Sequence, residues 1–101
     1  MQLIQILLPL ADNDGVPFTE SLLQEVQREL VERFGGVTAF SRAPAKGIWN
    51  QDGGRQQDDI IVVEVMSETL DRAWWRNFRS RWERNLGQDC LLIRAQAIEQ
   101  L

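Results

Sequence analysis

The sequence has no histidine and no tyrosine, and only one cysteine and three prolines in 101 residues. Without histidine, nucleophilic triads of the usual Ser-His or Cys-His kind are excluded, and the Cys and His sets that hold zinc do not exist. The single thiol, Cys90, has no partner for an internal disulfide and no base near it in a strand-like segment. It therefore reads as a small buried hydrophobe in a reducing compartment. Glycine pairs occur at Gly35-Gly36 and Gly53-Gly54, but neither has the spacing or the following Lys-Ser or Lys-Thr of a phosphate-binding loop. No metal and no cofactor are expected from these residue types. Missing too is any apolar run near the roughly 20 residues that cross a bilayer. The N-terminal run, Leu3 to Leu10, is interrupted by Gln5 and Pro9 and lacks a basic flank and a small-residue cleavage site. The expected compartment is thus the cytoplasm, with no membrane partner.

What is present suits one folded domain over residues 1–101, because 44% of the residues are hydrophobic and 26% are charged. The net charge is −4, so no general attraction toward nucleic acid or an anionic surface is expected. The charge is unevenly placed. Arg72, Arg76, Arg79, Arg81 and Arg84 crowd one short segment, while Asp52, Asp58 and Asp59 gather in another. A basic helix and an acidic loop follow, and such a helix face is ordinarily a solvated one.

Leu3 to Leu8 reads as a mostly buried strand, closed by Pro9 and the turn-prone Asp12-Asn13-Asp14-Gly15. Thr19 is a fitting N-cap for a helix, with Phe18 and Leu23 at the staple positions around it. Leu22, Leu23, Val26, Leu30 and Phe34 then recur at helical spacing, and Gly35 supplies a left-handed C-terminal position. A second strand is expected from Val37 to Arg42, then a long hairpin with Gly47-Ile48-Trp49 in one arm and its turn at Asn50 to Gly54. Asp59 to Met66 is the clearest strand of the chain, apolar enough to be central. A second helix is predicted from Ser67 or Thr69 to Gly87, with Trp74 and Phe78 at the centre of a broad apolar arc. That arc is wide for one core, so Trp75 or Trp82 is expected to reach a partner surface. A last strand, Cys90 to Ile98, completes a β-α-β-β-α-β order. The expected fold class is α+β and ferredoxin-like, a four-stranded antiparallel sheet with two helices on one face.

That order is shared with RNA-recognition domains, which stack bases on aromatics of the central strands. The strand Ile60-Ile61-Val62-Val63-Glu64-Val65 has none, so no nucleic-acid partner is expected. Attention passes to the sheet face away from the helices. If Ile4, Ile6 and Leu8 face inward, then Gln5 points out, and Thr38, Phe40, Arg42, Glu64, Arg94 and Gln96 can share its side. Glu64 is the sharpest oddity, a carboxylate inside the most apolar strand. It needs a partner such as Arg42 or Arg94. It can be an ion-pair member on a half-buried interface, or a general acid or base in a pocket walled by Trp49.

The run Arg33-Phe34-Gly35-Gly36-Val37-Thr38, then Gly47-Ile48-Trp49 and the apolar third strand, resembles small uncharacterised bacterial ferredoxin-like domains with a Phe-Gly-Gly-x-Thr turn and a Gly-x-Trp hairpin. More distantly the layout is similar to the dimeric α+β barrel proteins, in which two such sheets pair across their open faces. The resemblance implies fold and brings no catalytic residue with it. Together these readings point to a non-catalytic domain that binds itself, as a homodimer, or a protein partner, with Gln5, Phe40, Trp75 and Trp82 as interface candidates. The alternative is a small-molecule enzyme or ligand-binding barrel using Arg42, Trp49, Glu64 and Arg94, with Glu64 as the catalytic candidate.

Overall fold

Alternation along Gln2–Pro9, strand β1, decides where the core sits. Ile4, Ile6 and Leu8 are sealed from solvent, while Leu3, Gln5 and Leu7 between them are only half-buried. The computed structural model describes residues 1–39, 45–51 and 54–101, with side chains for 1–38 and 60–101. After β1 come helix α1 (Glu20–Phe34), strands β2 (Thr38–Ala39), β3 (Ala45–Gln51) and β4 (Gly54–Ser67), helix α2 (Arg72–Leu86) and strand β5 (Leu92–Ala97). The architecture is α+β, with two helices on an antiparallel sheet.

The sheet differs from the expected four strands: among the described residues both β2 and β3 pair with β4. Three long strands, β4, β1 and β5, form its centre, with β1 in the middle. Ile60 of β4 has Pro9 of β1 on one side and Ala45 of β3 on the other. Hence β3 lies along the same edge of β4 as β2, which pairs further on with Val63 and Glu64. Of the second strand expected over Val37 to Arg42, Thr38–Ala39 is strand, and Phe40 and Arg42 lie outside the described residues. β3 and the first half of β4 form a two-stranded ribbon, with Trp49 opposite Gln56.

Helix α1 starts and stops where its ends are satisfied. The Thr19 hydroxyl accepts from the Leu22 amide at 3.1 Å, and Gly35, at φ 82°, donates its own amide to the Val31 carbonyl. Helix α2 begins later than expected, at Arg72. β4 continues to Ser67, paired with Gln2, and the carboxylate that caps the helix is Asp71, accepting from the Trp74 amide at 3.1 Å.

Both helices lay their apolar stripes on the same face of the sheet. Val26 and Leu30 of α1, and Trp75, Phe78, Trp82 and Leu86 of α2, join Ile4, Ile6, Leu8, Ile61, Val63 and Val65 in one core. The phase of α2 differs from expectation. Phe78 is fully enclosed, but Trp74 packs against the core from its rim and stays half-buried. Trp75 and Trp82, expected toward a partner, are inside at 7% and 5% exposure. Phe34 at the end of α1 fixes this phase: it stacks on Trp75 at 5.3 Å and meets Trp74 edge-on at 5.2 Å. Arg33 lies over the Trp74 ring and pairs with Asp71 at 3.4 Å, tying the end of α1 to the cap of α2.

Glu29 of α1 makes the second tie. It accepts from the Trp82 indole N–H at 3.0 Å and takes both terminal nitrogens of Arg81. Partial burial pushes the Glu29 carboxyl up, but the hydrogen bonds from Arg81 and Trp82 and the charge of Arg81 together outweigh it and hold its pKa below the ordinary value. Cys90 is exposed, contrary to the sequence expectation; Leu91 takes the buried place, its amide bonded to the Glu83 carboxylate at 2.9 Å.

Candidate functional site: the open face of the sheet

Side chains alternate across a strand, so the residues between the buried ones must cover the opposite face. The register sorts them into three rows. Met66, Leu3 and Gln96 stand side by side on β4, β1 and β5. Glu64, Gln5 and Arg94 form the next row, extended by Thr38 of β2, which pairs with Glu64. Val62, Leu7 and Leu92 make the third. A polar row therefore runs between two rows that are mostly apolar. Neither helix covers these rows, and Met66 and Leu92 remain 51% and 48% exposed.

The polar row is hydrogen-bonded along its length. Arg94 Nε donates to Gln5 Oε1 at 2.7 Å, and Gln5 Nε2 donates to Glu64 Oε2 at 2.6 Å. Gln5 satisfies both of its neighbours because an amide is donor at one end and acceptor at the other. The arrangement changes the partner expected for Glu64. Arg94 does not touch it, since β1 lies between their strands and adjacent strands are about 4.8 Å apart. The row consequently has a cationic end on β5 and an anionic end on β4.

Of the residues singled out in the sequence, the structure brings together Gln5, Glu64 and Arg94, with Thr38 and Gln96 on the same face. Trp49 is not brought to Glu64 within one chain: its partner Gln56 lies eight positions before Glu64 on β4, about 27 Å at strand rise. Arg42 and Phe40 fall outside the described residues. Trp75 and Trp82 are on the other side of the sheet, in the core. The apolar rows, Leu3, Leu7, Val62, Met66 and Leu92, were not singled out as site residues. Their signal was present, because once Gln5 is placed outward its neighbours two positions away must share its face.

Two shallow depressions flank the row. One, of about 440 Å³, is lined by Leu3, Gln5, Arg94, Ala95 and Gln96. The other, of about 430 Å³, lies beside the Gly35-Gly36 turn, with Thr38, Glu64 and Met66 in its wall. Chemically, the face offers one carboxylate, one guanidinium and the amide that joins them. Among the described residues no group of three or more Cys, Asp or Glu side chains is placed to hold a metal ion.

No protein-family model matches the chain, and no curated protein sequence matches it. Its fold is similar to that of solved structures. A phage SAM lyase in complex with S-methyl-5'-thioadenosine superposes with a TM-score of 0.66 at 11% identity, over 94% of this chain and 79% of that one. The divalent cation tolerance protein CutA1 of Thermus thermophilus gives 0.63 at 16% identity, over 99% and 86%. A CutA1 variant from Pyrococcus horikoshii gives 0.61 at 11%, over 100% and 86%. At these identities the likeness is one of fold, that of a small α+β domain.

Proposed function

We propose that this chain is a single ferredoxin-like domain that binds a second copy of itself through the open face of its sheet, without catalysis of its own. One observation carries the reading: the polar row Arg94–Gln5–Glu64 is flanked by apolar side chains that none of the described helices covers, Met66 and Leu92 among them about half exposed. Apolar area of this kind is usually buried against a partner. The charges favour one arrangement. A two-fold axis lying between the faces and parallel to β1 sets Arg94 of each copy over Glu64 of the other. An axis along the row sets like over like and is disfavoured. The row is therefore self-complementary in the sense an isologous dimer requires.

Charge exchange tests this reading. Arg94→Glu alone should weaken the dimer, as should Glu64→Arg alone, because each puts two carboxylates or two guanidiniums face to face. The double exchange should restore association, read by light scattering across a dilution series. Equal dimer affinity in all four proteins would remove the arrangement.

The alternative, a small-molecule enzyme with Glu64 as acid or base, predicts a different response to Glu64→Gln. Mass and fold would stay intact while a bound ligand or its turnover is lost. Under self-association the same substitution changes dimer affinity, since Arg94 of the partner loses its counter-charge.

A further inference from the structure

On the helix side of the sheet a cleft of about 250 Å³ lies between α2 and β5, with Arg94 of the polar row also in its lining. Its floor is apolar: Ile4 and Trp75 are buried, and Leu70 and Ile93 are half-buried. Along one wall stand Arg72, Arg76 and Arg79, at positions i, i+4 and i+7 of α2. Among the described residues no carboxylate lines the cleft. Among the described residues the ion pairs are Arg33 with Asp71 and Arg81 with Glu29, and none involves these three arginines. Like charges at i, i+4 destabilise a helix by a few tenths of a kcal/mol per pair. An acidic chain has thus concentrated guanidiniums that have no ion-pair partner among the described residues beside an apolar trough.

We propose that this cleft binds a small phosphate monoester with an aromatic or otherwise apolar body. The body would lie on Trp75 and Ile93, and the phosphate on the arginines. Guanidinium forks suit phosphate oxygens, which they bind in pairs. A phosphate monoester carries a charge of about −1.5 to −2 at neutral pH and three acceptor oxygens, enough for two or three forks where a carboxylate would occupy one. The cleft lies below the roughly 300–1,000 Å³ of sites for drug-sized molecules, so the body is of one or two rings. The arginines and the trough are separate requirements, and each can be removed alone.

The test is calorimetric titration of the whole chain with 1-naphthyl phosphate, 1-naphthol and inorganic phosphate. The naphthyl ester should bind saturably with one site per chain, and each of the other two should bind at least about tenfold more weakly. Arg76→Gln and Arg79→Gln should each weaken the ester at least about fivefold. Neither should lower thermal stability, since both relieve like-charge repulsion. Ala95→Trp, which fills the cleft from β5, should abolish binding with the fold retained. Naphthol binding as tightly as its phosphate would reduce the cleft to an apolar trough. Inorganic phosphate binding as tightly as the ester would reduce it to surface charge. Either result, or no saturable binding at millimolar ester, overturns the proposal.

Discussion

The two faces of this sheet are made by alternate residues of the same three strands, yet they are finished differently. On the helix side Ile4, Ile6, Leu8, Ile61, Val63 and Val65 are all sealed by aromatic and aliphatic side chains from α1 and α2. On the other side Leu3, Leu7, Val62, Met66 and Leu92 surround a hydrogen-bonded polar row, and neither helix covers them. The first face holds the fold together through area removed from water. The second is the face through which we propose that copies of the chain associate. The comparison teaches that substitutions of similar chemistry should have opposite readouts on the two faces, in stability on one and in mass on the other.

The largest effect belongs to the covered face. Phe78 is fully enclosed and touches Trp74, Trp75 and Trp82, so Phe78→Ala should cost about 3–5 kcal/mol in denaturant unfolding. That is a large share of the roughly 5–15 kcal/mol of a domain this size. A loss below about 1 kcal/mol would mean that α2 does not seal the sheet.

Next is the tie between the helices. Glu29→Gln weakens the bonds from Arg81 and Trp82, and should cost about 1 kcal/mol, discounted for the partial exposure of the Arg81–Glu29 pair. Its pH dependence has a definite sign. Because the folded pKa of Glu29 lies below its ordinary value of 4.5, its contribution is full above that value and is lost as pH falls through the folded pKa. The parent should therefore lose more stability than Glu29→Gln between about pH 6 and pH 3. Identical acid profiles would remove Glu29 from the account.

Of similar size is Gly35→Ala. Space is open around Gly35, but its φ of 82° is left-handed, so an added Cβ should cost about 1 kcal/mol through backbone strain alone. On the open face Leu92→Lys should change the stability of the isolated chain by no more than about 0.5 kcal/mol, as exposed positions do. Its readout is association.

Much of this was legible in the sequence because it is local. Thr19 and Gly35 bound α1 through hydrogen bonds within a few residues, and the alternation around Gln5 already assigned the inward residues of β1. The order of helices and strands followed from the same patterns. What was not legible depends on contacts distant in the chain. Leu70, Trp74, Trp75, Phe78, Trp82 and Leu86 form so wide an arc that more than one helical phase buries it, and Phe34 and Glu29 of α1 select the phase that encloses Trp75 and Trp82. Glu64 could be seen to need a partner, but choosing Gln5 over an arginine required the register of β1 against β4. The exposure of Cys90 turns on a single residue of phase, since Leu91 beside it is the buried one.

The central claim, that the uncovered face is an interface between copies of this chain, is tested most directly by mass in solution. Light scattering on the parent at tens of micromolar should give twice the chain mass, and Leu92→Lys or Met66→Lys should return the mass of one chain with the fold retained. A parent of single-chain mass at that concentration, or variants that keep the doubled mass, would contradict it.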